Sequence, residues 1–216
     1  MRERVYLANC RRQYRAVWCV EMTERLTARA WIDFALRSFA HGGVEALKAD
    51  VLARKLGISR GSFYWHFSDL ATFHGKVIEH WRETTTEAII ADLEHYGSAE
   101  ERLNALLRRA FGHNAQLEVH MRTWAESNAA AARAVGEVDR RRRAYIERML
   151  VEAGIAPPLA VRRAQLLYWA YLGAALSRSK LAGGHLEGIV SELKRIGLGI
   201  PARAAISQRA GRRQRR

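Results

Sequence analysis

The chain has 216 residues, and 49% of them are hydrophobic, so it can build a sizeable core and is not disordered throughout. Its 36 Lys and Arg residues outnumber its 22 Asp and Glu residues and give a formal net charge of +14, which favours polyanionic partners such as nucleic acid. The longest apolar run, 166–176, is too short to cross a membrane, and the two cysteines, Cys10 and Cys19, cannot form a disulfide framework or a cysteine-only zinc site.

The two ends of the chain carry most of this charge. Residues 1–22 carry +3 and residues 201–216 carry +6, which leaves +5 for residues 23–200. We interpret 1–22 as an N-terminal extension, either a disordered basic arm or a stretch that precedes a true start at Met22, and 201–216 as a basic tail. The extension has no apolar block of signal-peptide length, so we expect a cytoplasmic protein.

Between these ends the apolar side chains recur at helical spacing. Phe39, for example, follows Ile32 at i+7, and no stretch alternates with period two for long enough to favour a strand. Ser98 and Asn128 can cap helices that begin just after them. The sequence therefore predicts an all-α protein of about nine helices, near residues 24–41, 48–56, 60–66, 69–95, 99–117, 119–127, 129–152, 158–182 and 185–197.

Residues 47–67 have the pattern of a helix-turn-helix. Gly57 begins a tight turn, Ser59 can cap the short second helix, and Phe63 and Phe67 at i, i+4 anchor that helix to a core. The opposite face has no acidic residue and carries groups that can donate to phosphate oxygens or contact base edges. These are Arg60, Gly61, Ser62, Tyr64, Trp65 and His66. Their composition favours DNA binding over an ordinary helical hairpin.

Residues 24–80 resemble the N-terminal domain of the TetR family of transcriptional regulators. The resemblance is carried by FALRSFAHGGVEALKADVLARKLGISRGSFYWHFSDL, in which GSFYWHF is its most specific part. Residues 119–182 resemble, more weakly, the helical ligand-binding and dimerisation domain of the same family. Together the two resemblances imply a helix-turn-helix DNA-binding domain over 23–68, which is followed by a helical effector-binding and dimerisation domain over 69–200.

The resemblance also implies roles for individual residues. Arg60, Gly61 and Ser62 would face the bases of double-stranded DNA, Tyr64 and His66 would face phosphates, and Trp65 would lie at the groove, with Ser59 at the start of the helix. Lys48 stands where many members have a capping Thr or Ser; it can reach a phosphate but cannot cap. The implied protein is a homodimer that binds a pseudo-palindromic operator, and repression relieved by a small-molecule effector is the usual mode.

The predicted eighth helix is apolar all round from 164 to 176, which indicates burial on more than one face. Such a helix lies either in the middle of a bundle or under another subunit, and the resemblance implies the pairing of helices 8 and 9 across a two-fold axis. Large or polar side chains on apolar faces of helices 4–8 predict a pocket for a partly apolar or aromatic effector. They are Trp81, Phe111, His113, His120, Trp124, Met149, Tyr168, Trp169 and Tyr171.

Other classes of function have less support in the sequence. The motifs of common hydrolases, P-loop proteins, metalloproteases and dinucleotide-binding enzymes are absent, so we expect no enzyme and no cofactor. His80 with Glu83, or His113 with His120, could hold a metal only with a third ligand, so we expect no metal site. The remaining alternative is a non-specific or structural binder of nucleic acid or membrane surfaces that works through the basic tails.

Overall fold

The computed structural model describes residues 26–112, 115–177 and 181–199, and every regular element within them is a helix. The predicted all-α fold is therefore confirmed, whereas the extension at 1–22 and the tail at 201–216 lie outside the described residues. The helices are α1 (Ala28–Gly42), α2 (Ala49–Leu56), α3 (Arg60–His66), α4 (70–93), α5 (Ala99–Gly112), α6 (Gln116–Ala125), α7 (Ala129–Glu152), α8 (Pro157–Leu176) and α9 (Gly183–Leu198). A short 3₁₀ helix, Gly43–Leu47, joins α1 to α2.

Several helices begin at the side chains that the sequence indicates. Asn128 accepts a bond of 2.9 Å from the amide of Ala131, and Ser98 and Glu101 form a reciprocal capping box of 3.1 and 3.0 Å. Ser59 is the N-cap residue of α3, as predicted, but its side chain makes no capping hydrogen bond. A single helix over 99–117 is wrong, because α5 ends at Gly112.

Helix α4 contains one irregular turn. It consists of the segments Leu70–Arg82 and Ala88–Leu93, which a π-helical turn, Glu83–Glu87, joins without a break. The hydroxyls of Thr84 and Thr85 donate to the carbonyls of His80 and Trp81 at 2.8 and 2.7 Å. Such a turn contains one residue more than an α-helical turn, and π turns occur often at functional sites.

The buried side chains form two groups. The first, which we name the aromatic cluster, joins α1–α3 to the first half of α4, to α6 and to the first half of α7. The second, the cavity cluster, joins the second half of α4 to α5, the second half of α7, α8 and α9. Helices α4 and α7 thus run through both groups. Within the described ranges, no helix has the length and apolar character that a membrane span requires.

Candidate nucleic-acid interface and internal cavity

The turn between α2 and α3 depends on the backbone of Gly57. This residue has φ +70° and ψ +26°, a left-handed conformation that favours glycine, and it ends α2. The amide of the next residue, Ile58, bonds to the carbonyl of Ala53 at 3.1 Å, and the Ile58 side chain packs against the aromatic cluster. The predicted helix-turn-helix geometry is therefore present.

Aromatic side chains anchor the buried side of α3. Phe63 has no exposed surface, and its ring lies 5.5 Å from Trp31 of α1 and 4.9 Å from Phe73 of α4. Phe67, just after α3, lies 5.1 Å from Phe63 and 4.9 Å from Phe73. Three elements thus fix the orientation of this seven-residue helix, which is too short to be stable by itself.

The outer face of α3 is exposed and carries no carboxylate. Tyr64 is 48% and Trp65 68% exposed, Arg60 is exposed as well, and His66 is half-buried. The Arg60 guanidinium lies 5.4 Å from the centre of the Tyr64 ring. Gly61, also exposed, lets a flat surface approach the backbone closely. This face can therefore contact a polyanion with donors and aromatic rings together.

Two charged residues at the start of α2, Lys48 just before it and Asp50 within it, are already paired. The Lys48 ammonium lies 2.5 Å from Glu45, and the hydrogen bond with this carboxylate raises the pKa of Lys48 above its usual value. Asp50 lies 3.7 Å from Arg54 on the same helix. Pairs as exposed as these are weak, so Lys48 can exchange Glu45 for a phosphate.

A partly open cavity of about 280 Å³ lies beside the cavity cluster, between α4, α5, α6, α7 and α8. Most of its wall is aliphatic or aromatic, and a few polar groups lie among these side chains. The lining includes Trp81, Thr85, Thr86, Ile89, Ile90, Leu93, Leu103, Leu106, Leu107, Arg109, Phe111, Leu117, Glu118, Arg142, Tyr145, Leu167, Tyr168 and Tyr171. A cavity of this kind suits a small, mainly apolar molecule.

The polar part of this wall is centred on the Glu118 carboxylate, which is only 4% exposed. It accepts bonds of 2.8 Å from both Arg122 and Arg142, and a bond of 3.3 Å from the Tyr171 hydroxyl. Arg142 also donates to the π turn of α4, at 3.2 Å to the carbonyl of Thr85. Glu118 and Arg142 therefore tie α4, α6, α7 and α8 together.

These contacts change the pKa values of the groups involved. Burial opposes the charge of Arg142, yet the neighbouring Glu118 carboxylate outweighs it and raises the Arg142 pKa above its usual value. Burial and the nearby carboxylates raise the pKa of the Tyr168 and Tyr171 hydroxyls. Burial and Glu94 raise the pKa of Tyr145 to about 12. At neutral pH the arginines stay charged and the tyrosines stay protonated.

The structure brings only some of the predicted pocket residues to the cavity. Trp81, Phe111, Tyr168 and Tyr171 line it, and His113 lies outside the described residues.

Four other predicted pocket residues need correction. His120 and Trp124 contact Phe39 at 6.0 and 5.6 Å between ring centres, at the junction of α6 with α1. Met149 is packed inside the cavity cluster without lining the cavity, and Trp169 is 60% exposed on the outside of α8.

The same surface of α8 carries further apolar residues. Leu166, Trp169, Gly173 and Leu176 follow one another at spacings of three and four, and the three large side chains are more than half exposed. A Cβ at Gly173 would meet nothing within 4 Å. This stripe is an apolar surface that the described part of the chain leaves uncovered.

His80, one of the histidines considered as metal ligands, has two neighbouring carboxylates. His80 lies 2.7 Å from Asp33 of α1 and 3.8 Å from Glu83. No group of three His, Cys, Asp or Glu residues among those described could hold a metal ion. The contact between His80 and Asp33 joins α4 to α1.

The comparisons with known proteins agree with this geometry. Residues 32–69 match the family model described as bacterial regulatory proteins of the tetR family. The HTH-type transcriptional regulator AcrR of Shigella flexneri is 33% identical over 63 residues, so the match spans 29% of this chain and 27% of that protein.

Solved structures resemble the whole helical body. A transcriptional regulator from Rhodococcus sp. Rha1 has a TM-score of 0.66 at 19% identity, over 80% of this chain and 96% of the other. A Saccharomonospora viridis protein in complex with choline has a TM-score of 0.63 at 15% identity, over 77% and 92%. Bacillus subtilis FadR in complex with stearoyl-CoA has a TM-score of 0.56 at 16% identity, over 78% and 96%. At these identities the likeness shows the fold.

Proposed function

We propose that this chain is a member of the TetR family of bacterial regulatory proteins and a sequence-specific DNA-binding regulator that acts in the cytoplasm. The observation that carries the proposal is the α3 face, which is exposed, free of carboxylates and held rigidly by the aromatic cluster. Arg60, Gly61 and Ser62 read base edges in the major groove, while Tyr64, His66 and Lys48 contact phosphates. Trp65 lies at the groove wall, and Ser59 lies where the helix meets the backbone.

The regulator acts as a homodimer. The exposed stripe of Leu166, Trp169, Gly173 and Leu176 on α8 supports pairing with a second copy, because an exposed apolar stripe of this length is costly in water. A two-fold dimer presents two α3 helices and therefore reads a pseudo-palindromic operator.

A small, partly apolar effector enters the cavity and releases the DNA. Two proteins of similar fold have been solved in complex with choline and with stearoyl-CoA, which supports a small-molecule ligand for this chain. Two helices touch both sites. Helix α4 carries Phe73 against α3 and Trp81 against the cavity, and α6 carries Trp124 against Phe39 and Glu118 against the cavity. A ligand that prefers one tilt of these helices changes the spacing of the α3 pair, and repression relieved in this way is a population shift.

Selection of bound sequences from random double-stranded DNA tests the DNA-binding role. We expect one pseudo-palindromic site that is still preferred at physiological salt. Arg60→Ala then lowers affinity for this site by about 1–3 kcal/mol and relaxes its sequence preference, whereas Tyr64→Phe weakens binding to all sequences alike. If Arg60→Ala leaves both affinity and preference unchanged, base reading by α3 is wrong.

Sedimentation tests the dimer. Trp169→Arg places a charge in the centre of the α8 stripe, and we expect monomers that no longer bind the operator tightly. Tyr96→Arg is the matched control, since Tyr96 is an exposed aromatic residue outside α8, and it leaves the dimer intact. A monomeric wild-type protein at micromolar concentration contradicts the proposal.

The comparisons do not support the alternative of a non-specific nucleic-acid or membrane-surface binder. Salt dependence separates the two: a binder that works by charge alone loses its affinity for all sequences in parallel as salt rises.

A further inference from the structure

The charged groups at the cavity are balanced before any ligand enters. Glu118 pairs with Arg142 and Arg122 at 2.8 Å, and Arg122 pairs with Asp139 at 2.6 Å, so this network has two positive and two negative groups. The other charged lining residue, Arg109, pairs with Asp92 at 2.7 Å. Among the described residues the lining thus offers no charge in need of a partner. A charged ligand would leave one charge uncompensated in a mainly apolar space, which is costly.

Arg142 already occupies the position between aromatic rings where a cationic ligand would bind. The Arg142 guanidinium lies 5.9 Å from the Trp81 ring centre and 5.8 Å from the Tyr171 ring centre. A quaternary ammonium group prefers such a position between two aromatic faces. Here it would have to displace Arg142, which is held in addition by Glu118 and by Thr85 of the π turn.

Two polar groups of the lining residues make no hydrogen bond: the Tyr145 hydroxyl, which has the Glu94 carboxylate as a neighbour, and the Trp81 indole. Trp81 has no exposed surface and lines the cavity, and its indole Nε1–H makes no hydrogen bond. A buried donor without an acceptor costs free energy, so a ligand that supplies an acceptor gains both the bond and the relief of this cost. The cavity therefore favours an acceptor over a purely hydrocarbon ligand.

The volume limits the size of the ligand. A water molecule occupies about 30 Å³ in the liquid, so the cavity of about 280 Å³ holds on the order of ten non-hydrogen atoms. We propose that the effector is an uncharged, largely apolar or aromatic molecule of this size that carries one hydrogen-bond acceptor, such as a ketone carbonyl, for Trp81. This inference rests on the proposed function, since it names the effector class of the same cavity.

Four probes of matched size test the inference by calorimetry, or by ligand-observed magnetic resonance where binding is weak. They are acetophenone, ethylbenzene, benzoate and phenyltrimethylammonium, which share a phenyl ring and differ in acceptor and charge. We expect acetophenone to bind up to about tenfold more tightly than ethylbenzene, and both ions to bind at least about 100-fold more weakly than acetophenone at pH 7.

Two variants test whether the Trp81 N–H is the donor to the ligand's acceptor. Trp81→Phe keeps an aromatic ring but removes the N–H, so the preference for acetophenone over ethylbenzene disappears. Trp31→Phe is the matched control: Trp31 is equally buried and also has an unpartnered Nε1–H, but it lies in the aromatic cluster away from the cavity, so the preference stays. A preference that survives in Trp81→Phe overturns the role of Trp81.

Tighter binding of benzoate or of phenyltrimethylammonium overturns the inference of an uncharged ligand, and so does the failure of all four probes to bind. None of these measurements contains DNA. A failed inference with an intact operator preference therefore leaves the DNA-binding function standing, whereas loss of the operator preference with an intact probe order removes the function and leaves a binding cavity.

Discussion

The aromatic cluster and the cavity cluster are built from different side chains for different tasks. In the first, rings of Trp31, Phe63 and Phe73 meet at 4.9–5.5 Å between centres, and none of the three has exposed surface. In the second, aliphatic side chains line about 280 Å³ of empty space beside a wall of paired charges. Close packing fixes the angle of α3, while the empty space leaves the other half of the molecule able to accept a guest. A helix that contacts base edges needs the fixed orientation that close packing provides. A site that binds a small molecule needs empty space.

The largest expected effect comes from the buried pair of Glu118 and Arg142 at the cavity wall. Glu118→Gln removes the only carboxylate that pairs with Arg142 in the described chain and leaves its buried charge uncompensated. We expect a loss of about 3–5 kcal/mol in the free energy of unfolding, measured by urea titration.

Glu187→Gln is the control for this change. Its carboxylate pairs with Arg108 on the surface, where both side chains are about half exposed, and we expect a change below about 1 kcal/mol. Equal effects of the two substitutions would mean that the pair of Glu118 and Arg142 contributes no more to the free energy of unfolding than an exposed ion pair does.

The same substitution in the two clusters sharpens the comparison. Leu52→Phe adds volume to the aromatic cluster, where Leu52 has no exposed surface, and we expect a loss of about 1–3 kcal/mol in the free energy of unfolding. Leu107→Phe places the added atoms in the cavity, so it leaves stability unchanged or raised and blocks the binding of acetophenone. A similar loss in the free energy of unfolding from both substitutions would show that the cavity cannot accommodate the added atoms.

The smallest effect concerns pH at the junction of α4 with α6. Burial lowers the pKa of His74, whose ring lies 5.1 Å from Trp124, so protonation is harder in the folded than in the unfolded protein. The stability due to neutral His74 is full above the unfolded-state pKa of about 6.5 and is lost as pH falls from there through the folded-state pKa.

His74→Phe therefore reduces the fall in unfolding free energy between neutral and mildly acidic pH. His95→Phe, at an exposed position, serves as the control and keeps the wild-type slope. A steeper slope in His74→Phe than in the wild type would reverse the sign and contradict the effect of burial.

The sequence predicts the helices and the α3 face well because both depend on local signals. Helical spacing and caps such as Asn128 act within one turn, and the turn at Gly57 needs only a few neighbouring residues. The cavity depends on contacts between helices. Arg142 lies in a run of four arginines, 140–143, that is typical of a solvated face, and only its position opposite Glu118 shows that it is largely buried.

The error at Trp169 has a related cause. Tyr168 and Trp169 are neighbours in a helix that is apolar all round, so periodicity cannot tell which of them faces inward. The structure places Tyr168 on the cavity and Trp169 outside. Trp124 fails for another reason, because the ring that it meets, Phe39, is distant in sequence.

The π turn of α4 acts as a correction of phase along the cavity wall. Ile89 and Leu93 follow Trp81 by eight and twelve positions, which in an uninterrupted helix of about 3.6 residues per turn puts them on other faces. The turn absorbs one residue, so these spacings act as about seven and eleven, or two and three whole turns, and all three side chains line the cavity. Removing any one residue from Thr84 to Thr86 would thus convert the turn into regular α-helix with true spacings of seven and eleven, and the three side chains would stay on the cavity side. The π turn is therefore what lets α4 keep its side chains aligned with both clusters although it contains one additional residue.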